Sequence, residues 1–229
     1  MSTPHEPLPV HPAATVVVLR DRAGSLEVLL VQRANELAFH GGAWVFPGGR
    51  VDQSDQQSDD PLHTARRAAV REAAEEAGLA LVPDGLVAVS HWTTPLGRPR
   101  RFATWFFAAE LATECDIIVD GGEIRAHRWL TPEGALQEHT SNALELPPPT
   151  YVTLRILGQF ATSAQALTFF RGAEPTIYVP RQLPTEAGVL SLYHGDIAYE
   201  GGEPERSGPR HRLSMLTSGW RYERSREVC

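Results

Sequence analysis

An α/β fold is what the sequence predicts, on three observations. Two early runs dense in Val and Leu, Ala14 to Arg20 (ATVVVLR) and Leu26 to Arg33 (LEVLLVQR), flank the turn-rich Asp21 to Ser25. One alanine-rich segment, residues 61 to 77, carries both the start and the stop signal of a helix. Beyond it, short runs of β-branched and aromatic residues recur between Pro, Gly and Asp, so strands resume after the helix. The chain has 229 residues, enough for one domain of ordinary size and an accessory segment.

Residues 1–12 form an N-terminal tail that lacks the basic flank and apolar core of a signal peptide. The first two strands are expected as a hairpin or as neighbours. A glycine-rich stretch, Phe39 to Gly49 (FHGGAWVFPGG), comes next, followed by Val51 to Asp60 (VDQSDQQSDD). Polar residues so outnumber apolar ones in the latter that an exposed loop is expected. Asp60 and Pro61 supply an N-cap and a first-turn proline, Ala dominates residues 65 to 77, and Gly78 ends the helix. Strands are then predicted at Leu86 to Trp92, Phe102 to Ala109 and Ile124 to Leu130, and Thr131 with Pro132 opens a helix to about His139. The break at Pro147 to Pro149 is the best boundary candidate, dividing a domain at 13–146 from an extension at 147–229. In the extension, helices are expected at Tyr151 to Phe160 and Ser163 to Arg171, with short strands in TIYVP, GVLSLYH and HRLSML. It is read as either a cap over a pocket or a homodimer interface.

Composition excludes several function classes. The net charge of -7 argues against a broad nucleic-acid surface, which needs clustered cations outweighing local acids, so a phosphate-bearing partner is expected at one local site. The apolar run Ala13 to Leu19 falls far short of the ~18 residues that cross a bilayer, and no membrane association is expected. Cys115 and Cys229 imply no disulfide framework, which points to a reducing compartment and a cytoplasmic protein. All 21 basic residues are Arg, which removes lysine chemistry.

Chemistry concentrates in Arg71 to Leu79, REAAEEAGL. At helical spacing Glu72, Glu75 and Glu76 share one face, where three carboxylates repel one another unless a cation joins them. Hard divalent cations want oxygen ligands of this kind, and a Gly-Gly turn lies upstream where backbone can approach a ligand. A solvated acidic stripe is the alternative meaning. Arg71 and Glu75 are four apart, so the guanidinium can hold one carboxylate while others face a metal.

The segment Gly49-x5-Asp55-x15-Arg71-Glu72-Ala73-Ala74-Glu75-Glu76-Ala77-Gly78-Leu79 resembles the Nudix box, G-x5-E-x7-R-E-U-x-E-E-x-G-U with U a bulky aliphatic residue. Ala73 is a small substitute at a U position, Asp55 stands for the first Glu, and eight extra residues separate it from the helix. The resemblance implies an α/β/α sandwich with a mixed sheet over about residues 13 to 140. It also implies a diphosphatase acting on a small nucleoside diphosphate derivative, with Mg²⁺ or Mn²⁺ as cofactor. Glu72, Glu75, Glu76 and the Gly49 carbonyl are then implied metal ligands, with Arg71 orienting the carboxylates. Substitution of Glu75 or Glu76 by Gln, which keeps size but removes the charge that would hold the metal, is expected to lower turnover by orders of magnitude with little loss of fold, and Asp55→Asn to matter far less.

Leu29 to Gly49 is similar to the signature of a coenzyme A-cleaving branch, L-L-T-x-R-[SA]-x3-R-x3-G-x3-F-P-G-G, at Leu29, Leu30, Arg33, Ala34, Gly42, Phe46, Pro47, Gly48 and Gly49. Val31 and Ala38 depart from it. The long loop after FPGGRVD resembles organellar members of that branch. A CoA or acyl-CoA substrate is therefore expected, with NADH, ADP-ribose or a nucleotide sugar as alternatives. Arg33, Arg101 and Gly48 are the expected substrate contacts, Arg101 within a cluster with Arg98 and Arg100 that suits phosphate but equally suits a solvated turn. Glu123, in DGGEI, is a candidate general base or metal ligand, or a plain turn acid. A catalytically silent nucleotide-binding module is the competing reading.

Overall fold

The structure is a computed structural model that describes residues 9–36, 40–111 and 115–225; Ala38 and Cys229 lie outside these. β1 (Val10–Arg22) and β2 (Ser25–Arg33) form an antiparallel hairpin turning through Ala23 and Gly24, both at positive φ as a two-residue hairpin turn requires. β1 begins four residues before the expected Ala14, because its first half pairs in parallel with β6 (Arg101–Glu110), a distant partner that local hydrophobicity does not reveal. The glycine-rich stretch supplies two short strands, β3 (Trp44–Val45) and β4 (Gly48–Arg50), on β2 and β1. β5 (Val87–Thr93), β7 (Ile124–Leu130) and β8 (Thr176–Tyr178) complete this sheet.

Its strand order is β3-β2-β1-β6-β5-β8, with β4 also on β1 and β7 also on β2. The β1–β6 and β5–β8 pairs are parallel and the others antiparallel, so the sheet is mixed. Successive strand residues face opposite ways, which divides the core in two. Val16 and Val18 join Leu29, Val31 and Phe107 beneath helix α1 (Pro61–Ala77). Val17 and Leu19 join Val28 and Leu30 on the other face, against α2 (Pro132–Thr140), α3 (Pro148–Leu157) and α4 (Ser163–Arg171). An α/β/α sandwich results.

α1 has the predicted bounds. The Asp60 carboxylate accepts from Leu62 N, Pro61 opens the first turn, and Gly78 ends the helix in the left-handed conformation. α3 starts three residues before the expected Tyr151, because Pro147 acts as its N-cap and Pro148 and Pro149 sit in the first turn, where a missing N–H costs nothing. The proline run thus begins a helix instead of parting two cores. Tyr151, Leu154, Tyr178, Tyr193 and Leu213, all beyond that run, are buried in one cluster with Val17 and Leu30.

A second, antiparallel sheet follows: β9 (Arg181–Thr185), β10 (Gly188–Leu192), β11 (His211–Leu216) and β12 (Gly219–Arg224) in the order β12-β11-β10-β9. β9 and β12 are the edge strands, and Pro184 is tolerated in β9 because it lies at an edge. Aromatic rings join this sheet to the first. Trp92 stacks on Tyr178 with centroids 3.8 Å apart and planes 6° from parallel, and Tyr193 meets both edge-on at 5.6 and 5.0 Å.

A buried ion pair fixes the second sheet's connection. The Asp196 carboxylate accepts from Arg212 Nε (2.7 Å), Arg212 Nη2 (2.6 Å) and the backbone N–H groups of Ala198 and His211 (2.9 Å each). Burial works against its charge, but these four donors outweigh it and hold the Asp196 pKa below the usual carboxylate range. Its stabilising contribution is thus complete above the unfolded carboxylate's pKa and is lost as pH falls through the lower folded value. Asp196→Ala, which leaves Arg212 buried and unpaired, is expected to cost about 3 to 5 kcal/mol in urea unfolding at pH 7. Between pH 5 and 3 the variant should lose less stability than wild type; an equal loss would show that Asp196 does not contribute to acid sensitivity.

Candidate active site

The site is assembled where α1 lies against the β1–β4 edge. Ala68, Ala69 and Ala73 on the buried side of α1 have no exposed surface, and these small side chains let the helix approach the sheet closely. Ala73, the departure from the Nudix pattern, is one of them. The opposing loop is tied to β1: Thr15 Oγ1 donates to Pro47 O (2.6 Å), and Val16 N donates to the same oxygen (2.9 Å). A Cβ on Gly48 would stand 2.5 Å from Ala14 O and from Thr15 Cα, so only glycine fits there.

The helix meets this loop through its carboxylates. Glu76, 5% exposed, accepts from Gly48 N at 2.8 Å. Glu72 lies on Gly49, where an added Cβ would come within 2.3 Å of Glu72 Oε1. Gly48, expected as a substrate contact, lines the cleft described below and gives its N–H to Glu76, because the helix brings that carboxylate within reach.

Arg71 is the hub of the site. Its Nε and Nη2 grip Asp55 Oδ1 and Oδ2 at 3.2 and 3.0 Å, Nη2 also donates to Arg50 O (2.9 Å), and Nη1 donates to Glu72 Oε1 and Glu75 Oε2 at 3.0 Å each. Asp55 was expected in an exposed loop and is instead 3% exposed, in a single 3₁₀ turn (Gln53–Asp55). Its partner is sixteen residues ahead, which explains how a polar stretch buries a charge. The Asp55 hydrogen bond is the main reason that the Arg71 pKa is held up, with Glu72 adding to it.

Electrostatics set the two inner carboxylates apart. Burial pushes the Glu76 carboxyl up to about 8; the Gly48 N–H and Arg33 offset this in part, while Glu72 and Glu123 add to it. Burial also raises Glu72, against the pull of Arg71. Among the described residues no ion pair relieves Glu76, nor are three acidic or His/Cys side chains already drawn around a metal-sized space. The second fact follows from the hydrogen bonds: Arg71 holds Glu72 and Glu75 while Glu76 turns to Gly48. The donor set itself is all oxygen, clustered and under-neutralised, which fits a hard divalent cation.

Glu123 reaches the same place from the loop before β7. The Asp120 carboxylate accepts from the N–H groups of Gly122, Glu123 and Ile124 (3.2, 3.0 and 2.9 Å), and Glu123 O accepts from Ala34 N (2.7 Å), so the Glu123 backbone is held on both sides. Asp120 was not anticipated, although Asp followed by two glycines is a turn signature that could have indicated it.

A cleft of about 950 Å³ contains these groups. Arg33, Glu72, Glu75, Glu76 and Glu123 line it, as do Arg98 and Arg100. Arg101 does not: its Nε donates to Thr94 O (3.2 Å), because β6 starts at this residue and turns it toward the neighbouring strand. The arginines of the cleft are Arg33, Arg98 and Arg100, with Arg50 and the carboxylate-bound Arg71 beside the α1 face. His40 also lines the cleft, its pKa lowered chiefly by burial, whereas His91 packs on Trp105 with ring centroids 4.8 Å apart.

The Asp55 fork makes a direct prediction that gives Asp55 a larger part than expected from sequence. Asp55→Asn should reduce kcat about 10- to 100-fold with little change in KM, because Arg71 would lose the partner that aims it. Asp55→Glu should retain more activity than Asp55→Asn. Steady-state kinetics on the two variants decides; full activity in Asp55→Asn would remove Asp55 from the site.

Comparison with known proteins identifies the family. Residues 9–148 match the NUDIX domain. An acyl-coenzyme A diphosphatase of Xenopus laevis is 23% identical over 90% of this chain and 81% of its own length. A human acyl-coenzyme A diphosphatase is 30% identical over 67% of this chain, which spans 40% of that protein. A NUDIX hydrolase of Alicyclobacillus acidocaldarius superposes with a TM-score of 0.62 at 26% identity, covering 70% of this chain and 96% of that one. The match covers well over half of the chain and includes every carboxylate on α1, so the protein belongs to the NUDIX family and is a Nudix hydrolase.

Proposed function

We propose that the protein is a divalent-cation-dependent diphosphatase that cleaves CoA or an acyl-CoA to 3′,5′-ADP and 4′-phosphopantetheine or its acyl derivative. Nudix hydrolases act on small nucleotide diphosphate substrates and generally use divalent metals. The observation that carries the reading is the cleft itself, in which the Glu72, Glu75 and Glu76 face of α1 and the cations Arg33, Arg98 and Arg100 line one space. The names of the relatives favour coenzyme A as the diphosphate within it.

Glu72, Glu75, Glu76 and the Gly49 carbonyl would hold Mg²⁺ or Mn²⁺, which when bound neutralises diphosphate charge and acidifies water. Arg71 keeps Glu72 and Glu75 aimed from the outer side. Glu123, within electrostatic reach of Glu76 and held through its backbone, would take the proton of the attacking water. The bridging oxygen then leaves with one phosphate. Arg98 and Arg100 supply charge-assisted contacts for the 3′-phosphate that CoA carries and dephospho-CoA lacks.

Turnover is measured on CoA, dephospho-CoA, NADH, ADP-ribose and a nucleotide sugar with Mg²⁺ or Mn²⁺. CoA is expected to give the highest kcat/KM, and chelation with EDTA should abolish activity. Glu76→Gln is expected to lower kcat by orders of magnitude while keeping the folded state. A preference of about tenfold for NADH, ADP-ribose or dephospho-CoA over CoA would overturn the substrate. Tight nucleotide binding with no product under any metal would overturn the enzyme in favour of a silent binding module.

A further inference from the structure

The lining of the cleft divides along the chain into a part that carries charge, mixed with apolar residues, and a part that carries none. Its charged lining residues, from Arg33 to Glu123, all precede α2. The lining residues beyond Glu123, among those described, are uncharged: Pro147, Pro148, Pro149 and Thr150 at the start of α3, then Pro180, Gln182, Ser191 and Tyr193 around β9 and β10.

Strand geometry explains the second group. Gln182 and Ser191 are directly opposed in the antiparallel β9–β10 pair, so their side chains share a face of the sheet. Pro180 and Tyr193 lie just outside these strands, two residues from Gln182 and Ser191, and line the same cleft. The face is anchored in the main sheet, since Tyr193 packs edge-on against Trp92, which also lines the cleft. Gln182 is exposed, and its amide offers both a donor and an acceptor. Tyr193 Oη is buried with no hydrogen-bond partner in good geometry, and Ser191 is its polar neighbour.

We infer that this uncharged wall, built by β9 and β10 outside the matched NUDIX region, is the subsite for the non-nucleotide arm of the substrate, with Gln182 hydrogen-bonding an amide of that arm. The inference rests on the coenzyme A reading above. A ribose or sugar arm presents many hydroxyls, each needing a polar partner, whereas this wall is mostly proline, with Gln182 as its exposed polar side chain and Thr150, Ser191 and Tyr193 buried behind it. A pantetheine arm presents methyl and methylene groups with two amides, which matches apolar walls and a side-chain amide.

Dephospho-CoA and ADP-ribose share the adenosine diphosphate half and differ in the other arm, so their kcat/KM ratio isolates this wall from the cationic one. Gln182→Ala, on an exposed edge strand, is expected to lower the dephospho-CoA to ADP-ribose ratio about three- to tenfold, as loss of one hydrogen bond implies. Calorimetry with 4′-phosphopantetheine alone should show a similarly weakened Kd in the variant and no change for 3′,5′-ADP. An unchanged ratio, or an equal fall on both substrates, overturns the inference and leaves the diphosphatase standing. Failure of the wild-type protein to cleave CoA and dephospho-CoA while it cleaves ADP-ribose would instead overturn the substrate reading.

Discussion

Like charges packed side by side are the constraint on which the site depends, and Arg71 is the means by which the fold tolerates them. Asp55, Glu72 and Glu75 all bond to this one guanidinium. Its five donors in a planar fork suit that task, where a lysine point charge could not serve several acceptors in fixed directions. Asp55 is the deeply buried anchor, Glu75 is exposed, and Glu72 lies between, so the guanidinium spans the gradient from core to cleft. Glu76 is left to a single backbone N–H and retains most of its burial penalty. A fold keeps such a group when something other than stability requires it.

The approach of α1 to the sheet is the second condition. The alanines beneath the helix and the glycines of the opposing loop are complementary, since each side removes the bulk that would hold the other away. Gly49 shows this from the loop side, where a side chain would occupy the position of the Glu72 carboxylate. Ala73 shows it from the helix side. A larger residue there would fill more core but would move the carboxylate face outward, so the departure from the family pattern is consistent with this closely packed variant of the interface.

How far this was legible in the sequence depended on the range of the signals. α1 has the predicted bounds because its cap, first-turn proline and terminal glycine are all local. The shared face of Glu72, Glu75 and Glu76 likewise follows from helical spacing alone. Asp55 was illegible, because whether a charge is buried depends on its partner, and that partner arrives from another element. β4, with the sequence Gly-Gly-Arg, and β9, with proline and polar residues, have no hydrophobic period and become strands through pairing with β1 and β10. The proline run lies where the family match ends, at residue 148, yet it also starts α3, because proline ends a helix from within but starts one from its first turn. Arg101 was chosen over its neighbours Arg98 and Arg100 on charge alone, whereas strand pairing decides which of the three faces the cleft.

Separate origins for the two walls have a mechanical consequence. The carboxylates of α1 and Arg71 are positioned by contacts among residues 48 to 76 and by the tie of the preceding loop to β1. The uncharged wall is positioned by the aromatic stack of Trp92, Tyr178 and Tyr193 and, behind it, by the Tyr178–Tyr222 and His211–Tyr222 hydrogen bonds at 3.2 and 3.0 Å. These two networks share no side chain, so a change on β9 or β10 can alter the shape of the cleft without moving the carboxylates. The same separation does not hold for Trp92, which lines the cleft and carries the stack. A substitution there would shift the wall and weaken the core together, and its effects on substrate choice and on stability could not be told apart by activity alone.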